Sequence, residues 1–408
     1  MKSKLTLLIA AIALSFTGCT DQKKAFMQEN IHFAERQLQV ALDSIPEEGK
    51  LPRSIRKNGN LGCVGAYDWT SGFFPGSLWY LYELTGNEHW CAEASRTTEW
   101  LEKIQYYEGS HDVGFMLYCS YGNGYRLSHK AEYKQVLING AEALSTRFDE
   151  RTQTIKSWDF QGRTKDGFVW QYPVIIDNMM NLDLLFEASK LSGNDKYRNI
   201  AIAHADQTMK NHFRGDFSSY HVVDYDSITG DVRGRYTHQG LSHESSWARG
   251  QAWGLYGYTL CYRETKDERY LRQAEGIADY MLNEKHLPED MVPLWDYHIN
   301  EPDFTPSWLD RLPKLEKPWR DASAAAITSS ALFELSQLSS TNGARYRQAA
   351  EQILFSLSGS YKANPTEIPF FILDHSVGNI PSHSEIDVPI NYADYYFMEA
   401  LVRYNNVK

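Results

Sequence analysis

Leu78-Trp79-Tyr80-Leu81-Tyr82-Glu83-Leu84-Thr85-Gly86-Asn87, followed by Trp90, is the stretch whose reading decides the fold. Apolar residues recur at helical spacing up to Leu84, Gly86-Asn87 reads as a tight turn, and a second periodic stretch starts near the aromatic. The same arrangement returns at Leu184-Leu185-Phe186-Glu187-Ala188-Ser189-Lys190-Leu191-Ser192-Gly193-Asn194 before Tyr197. It returns again at Leu255 to Thr265 before Tyr270, at Leu332-Phe333-Glu334-Leu335 before Tyr346, and more weakly at Met116-Leu117-Tyr118 before Tyr133. Each copy predicts a helix, a turn and a second helix, so the helical hairpin is the repeating unit. With helices over Lys24–Ser44 and Tyr392–Tyr404 the count is about twelve, or six hairpins. No stretch of sustained alternation and no βαβ rhythm competes with this all-α reading.

Hairpin repeats stack as an open solenoid or close into a ring. Solenoid repeats keep a regular length because each must match its neighbours. Here Trp90, Tyr133, Tyr197, Tyr270 and Tyr346 lie 43, 64, 73 and 76 residues apart. Long, uneven insertions on one side suit a closed (α/α)6 barrel whose loops build a site. The longest insertion, from Glu284 to Lys317, is expected to line its mouth.

The N-terminus carries an address. Lys2 and Lys4 precede an apolar run from Leu5 to Phe16, then Thr17-Gly18-Cys19. That pattern predicts a signal peptide over residues 1–18, too short for a membrane span. Cys19 directly after Gly18 resembles a bacterial lipobox, in which the Cys is acylated. Residues 19–24 would then be a polar tether and 25–408 a single catalytic domain, held at the cell envelope by a lipid anchor, facing the periplasm or the cell surface. The other cysteines, Cys63, Cys91, Cys119 and Cys261, are scattered without CxxC or Cys/His spacing, so neither zinc nor a disulfide framework is indicated.

The net charge of −11 with no basic tract argues against a nucleic-acid partner. An anionic substrate would have to be held by a few local cations against the overall field. The aromatic richness, 11 Trp, 26 Tyr and 18 Phe, suits stacking on sugar rings and equally suits a large core.

Four connecting segments concentrate polar and aromatic residues. Asp177 stands in Val174-Ile175-Ile176-Asp177-Asn178-Met179-Met180, a carboxylate in an apolar stretch. Burial there would raise its pKa towards the range of a general acid, and a helix cap is the alternative. Asp112, in Ser110-His111-Asp112-Val113-Gly114-Phe115, carries the same two readings. Arg249 and Trp253, in Trp247-Ala248-Arg249-Gly250-Gln251-Ala252-Trp253, share a helix face as an i,i+4 pair. Such an Arg either meets a sugar carboxylate or is buried on its Trp.

Taken together, and with Arg320-Asp321-Ala322-Ser323-Ala324-Ala325-Ala326, Ser384-Glu385-Ile386-Asp387 and Asp394-Tyr395-Tyr396-Phe397-Met398-Glu399-Ala400-Leu401, these segments resemble the unsaturated glucuronyl hydrolases, glycoside hydrolase family 88, over essentially the whole mature chain. The resemblance implies an (α/α)6 barrel, Asp177 as catalytic acid and Asp112 as a second essential carboxylate. It implies substrate contacts from Trp69, His111, His221, Gln239, Arg249 and Trp253, and no metal or organic cofactor. It also implies a substrate: an oligosaccharide ending in a 4,5-unsaturated uronic acid, whose vinyl ether one acid can protonate. The His221, Gln239 and Arg249 set favours a glycosaminoglycan-type chain over the pectin fragments of the related unsaturated rhamnogalacturonyl hydrolases. A non-catalytic glycan-binding lipoprotein would also explain the anchor and aromatics, but not an acid in an apolar stretch.

Overall fold

The computed structural model describes residues 2–160, 162, 167–299, 301–307 and 318–407, with side chains from Asp21 onward. Its helices alternate between two concentric rings. Helices α2 (Phe73–Thr85), α7 (Leu182–Ser192), α9 (Ala248–Thr265), α11 (Ala322–Leu338) and α13 (Asn391–Asn406) stand inside. Helices α1 (Lys2–Asp43), α3 (Glu88–Glu99), α6 (Ala131–Ser145), α8 (Asp195–Asn211), α10 (Glu268–Asn283) and α12 (Gly343–Ser360) stand outside. The sixth inner place is composite: α4 (Val113–Leu117), one π turn over Tyr118–Gly122, and α5 (Asn123–Ser128). The weakest sequence repeat is thus one place in the ring, though not one helix. Because α13 packs on both α11 and α2, the last helix closes the ring on the first hairpin.

The inner helices are apolar nearly all round because both faces are covered: α9 is buried continuously from Ala248 to Cys261 and α11 from Ala322 to Phe333. The turns follow from local chemistry. Gly86 and Gly193 end α2 and α7 in the left-handed region at φ 66° and 71°. The next residues, Asn87 and Asn194, cap α3 and α8 through their side chains. The repeated aromatics interlock the outer ring. Trp90 Nε1 donates to Glu35, and the hydroxyls of Tyr133, Tyr197, Tyr270 and Tyr346 donate to Glu99, Glu142, Asp206 and Asp279, in each case on the preceding outer helix, at 2.8–3.1 Å.

Turns from inner to outer helices are short, so every long connection falls at the opposite end of the barrel. Four short antiparallel sheets stiffen that end. They comprise β1 (Leu51–Ile55) with β2 (Leu61–Val64), β3 (Phe148–Asp149) with β4 (Thr154–Ile155), β5 (Tyr172–Ile175), β6 (Val222–Tyr225) and β7 (Val232–Tyr236) together, and β8 (Ser376–Asn379) with β9 (Ser384–Val388). The sequence reading found none of them, since strands of two to five residues leave no usable alternation.

Residues 19–24 fall within α1, and Lys23 Nζ donates to the carbonyls of Asn405 and Val407 at the end of α13. The described part of the Glu284–Lys317 insertion packs under the loop before α9, with buried Asp296 accepting from Leu241 N and Ser245 Oγ, and does not reach the mouth. Asn300 and residues 308–317 of that insertion lie outside the described residues, as does the side chain of Cys19. Among the described residues no helix is long and apolar enough to cross a membrane.

Candidate active site

A cavity of about 280 Å³ opens at the end where the long connections gather. Trp69, His111, Asp112, Asp177, Gln239 and Arg249 line it, drawn from segments up to 180 residues apart in sequence. His221 and Trp253 stand behind this wall: both are buried, and neither lines the cavity. A larger cavity, about 470 Å³, lies at the other end of the barrel. Its cations are already matched, Arg126 by Glu83, Arg263 by Asp183 and Arg403 by Glu334, and none of the candidate residues faces it.

Two turns bring the carboxylates to one wall. Strand β5 delivers the chain into a 3₁₀ turn, Ile176–Asn181, which carries Asp177. Asp112 immediately precedes α4. The turns are locked together by Phe115 N donating to Asn181 Oδ1 at 2.9 Å. Gly114 permits the approach, since a Cβ there would sit 2.5 Å from the Cα of Asn181. Neither Asp caps a helix through its side chain, so the capping readings fall.

Burial pushes the Asp177 carboxyl up to about 7; Asp112 nearby adds to the rise, while Arg249 and the Trp253 indole oppose it. Asp177 Oδ2 has no hydrogen-bond partner among the described residues. Each carboxylate faces one histidine. His221 Nδ1 accepts the backbone N–H of His238 and Gln239 at 3.2 and 3.1 Å, which leaves the proton on Nε2, 3.6 Å from Asp177 Oδ2. His111 Nδ1 lies 3.3 Å from the Asn181 amide nitrogen, and its Nε2 lies 3.3 Å from Asp112 Oδ1. Burial lowers the pKa of both imidazoles, that of His221 the further, so neutral N–H groups face the carboxylates. His221 thus faces Asp177 from behind the cavity wall, and Trp253 packs between Phe115 and Tyr396 beneath it.

Arg249 reaches the cavity with its guanidinium already engaged. It donates from Nη1 to Asp321 at 3.2 Å and to the Val377 carbonyl, and from Nη2 to the Gly378 carbonyl at 2.7 Å. Its plane lies over Trp247, 4.3 Å from the ring centroid. Arg249 is thus buried and stacked, on Trp247 and Tyr392 and not on the Trp253 of its i,i+4 pair. Gln239 Nε2 donates to the Gly378 carbonyl, and Trp69 packs on Tyr392 and Phe115.

The sequence reading missed Arg53, Trp158, Phe160, His238 and Tyr392 on the cavity wall. Glu385 belonged to a quoted motif without a role; here it takes Arg53 bidentately at 2.6 and 2.8 Å. Arg53 and Trp158 gave no local signal, because only the ring brings their strands and loops to the mouth. Among the described residues no group of His, Cys, Asp and Glu could hold a metal ion.

No protein-family model matches the chain. An unsaturated glucuronyl hydrolase of Formosa agariphila is 42% identical over 99% of both chains. The chain belongs to the unsaturated glucuronyl hydrolase family. It is a glycosidase, and its fold is the (α/α)6 barrel expected from the hairpin repeats. A crystal structure of an unsaturated glucuronyl hydrolase specific for heparin superposes with a TM-score of 0.85 at 47% identity, covering 93% of this chain and 97% of that one. An Asp→Asn variant of the Streptococcus agalactiae enzyme, complexed with dGlcA-GalNAc6S, superposes at 0.74 with 28% identity, covering 94% and 92%. The cavity described above is thus the place to look for an unsaturated glucuronyl hydrolase's acid.

Proposed function

We propose that the enzyme removes the 4,5-unsaturated uronic acid from the non-reducing end of glycosaminoglycan-type oligosaccharides, with Asp177 as the acid. One observation carries this reading: a buried carboxyl held protonated to about pH 7 on a cavity wall, beside a second carboxylate. The substrate is a vinyl ether conjugated to its own carboxylate. Asp177 gives its proton to C4, and positive charge develops at C5 and O5. Water adds to C5 and loses a proton, which restores the acid. The hemiketal at C5 opens, and the neighbouring sugar leaves from C1. Burial and the neighbouring charge of Asp112 hold the proton on Asp177 until the sugar arrives.

The assay is direct: incubation with an unsaturated disaccharide must abolish the ultraviolet absorbance of the conjugated double bond. A bound sugar with persistent absorbance would leave only a binding protein. Heparin-type disaccharides should be assayed first, given the 47% identity with a relative specific for heparin.

The pH dependence has a definite sign. Asp177 is raised from 3.8 to about 7, so its acid form prevails below that value. The rate should fall about tenfold per pH unit above it, and a macroscopic value shared with Asp112 is what the profile reports. The same shift makes the native state hold a proton that the unfolded chain releases. This contribution to stability is full below pH 3.8 and lost as pH rises to about 7. A rate that rises through pH 7 would contradict the acid role.

We further propose that Cys19 is acylated and fixes the enzyme to the cell envelope. Lys23 docks at the C-terminal end of α13, whereas the cavity lies at the N-terminal ends of the inner helices. An anchor just before Lys23 would therefore point the mouth away from the bilayer. Cys19→Ser should move the protein from the membrane fraction to the soluble fraction with hydrolysis intact. Unchanged membrane association would remove the lipoprotein reading.

A further inference from the structure

The aromatic wall of the catalytic cavity continues past its rim. Phe160 is 50% exposed and lies against Trp158, with centroids 4.9 Å apart and planes 24° from parallel. Trp158 in turn lies 6.1 Å and 25° from Trp170. Phe160 borders the catalytic cavity and also a second groove of about 500 Å³. Lys156, Asp159, Trp170, Gln171, Ser227 and Arg233 form the remainder of that groove's polar and aromatic lining.

The groove's charge runs against that of the molecule. Lys156 Nζ stands 3.3 Å from Asp159, and Arg147 shares the same carboxylate at 3.0 Å. Arg233 is held by Asp224 at 2.6 Å. Among the described residues that line the groove, two cations, Lys156 and Arg233, stand against one carboxylate, Asp159, in a chain of net charge −11. Exposed aromatic area beside cations and hydrogen-bonding side chains matches a sugar ring that carries an anion.

We propose that this groove is an outer subsite for the anionic sugar residues that follow the disaccharide in longer substrates. Phe160 is the stacking face shared with the catalytic cavity, and Lys156 and Arg233 meet the carboxylate or sulfate groups. The proposal rests on the hydrolase reading above and extends it from disaccharides to longer chains.

The experiment compares kcat/KM for an unsaturated disaccharide and an unsaturated tetrasaccharide of the same anionic chain. Wild type should favour the tetrasaccharide, and Lys156→Gln/Arg233→Gln should remove about three- to tenfold of that preference while leaving the disaccharide constants unchanged. Lys156→Gln alone, which leaves the Arg233–Asp224 pair in place, should remove part of it if the double variant fails to fold. Added salt should weaken the tetrasaccharide advantage first. Equal constants for both chain lengths in wild type, or a loss shared equally by both substrates, would overturn the subsite. If neither substrate turns over, the hydrolase reading fails. Calorimetric titration with the tetrasaccharide then decides the groove separately, since Lys156→Gln must still weaken binding.

Discussion

Asp177→Asn should lower kcat at least ~10²–10⁴-fold while the protein stays folded and binds substrate. The carboxyl is already neutral below about pH 7, so the amide replaces it without removing a buried charge. The amide oxygen can turn towards the Nε2–H of His221, which now faces Asp177 Oδ2. What the variant lacks is a proton to give to C4. The check is single-turnover loss of the conjugated absorbance, with binding measured separately by calorimetry. Retention of more than about a tenth of the wild-type kcat would falsify the assignment. Asp112→Asn is the companion test. It removes the like charge that helps raise Asp177, so the alkaline limb should move to lower pH as the rate falls.

Arg249→Ala should first reduce stability, by about 3–5 kcal/mol, and only then affect binding. The sequence alone suggests a cation waiting for a sugar carboxylate, and hence a KM effect. The structure shows a guanidinium 1% exposed and shared among Asp321, two carbonyls and the face of Trp247. Its removal leaves Asp321 buried without its cation, although that carboxylate still caps α11 through Ser323 and Ala324. Denaturant unfolding measures the loss, and Asp321→Ala in the same background should be less than additive, because the pair is already broken. The alkaline limb of the pH profile should also move upward, since Arg249 is the charge that opposes the rise at Asp177. An Arg249→Ala protein with normal unfolding and a raised KM would return the residue to a purely substrate-binding role.

The sequence by itself determined the barrel and half of its chemistry. The hairpin period is local: apolar spacing, a left-handed Gly and a capping Asn or Asp lie within a dozen residues, so each unit can be read without its neighbours. Asp177 was legible for the same reason, a carboxylate among Ile175, Ile176, Met179 and Met180. Whether it capped a helix or stood in a wall was not, because that depends on what packs against it. Only the tertiary structure set Gly114 against Asn181, turned two histidines so that their Nε2–H groups face the two carboxylates, and occupied Arg249 with Asp321. It also brought Arg53, Trp158 and Phe160 to the mouth. Helix formation is governed by neighbours three and four residues apart, which sequence displays. A carboxylate's pKa and a guanidinium's partners are governed by groups close in space and tens to hundreds of residues apart in the chain, and closing the ring is what makes them neighbours.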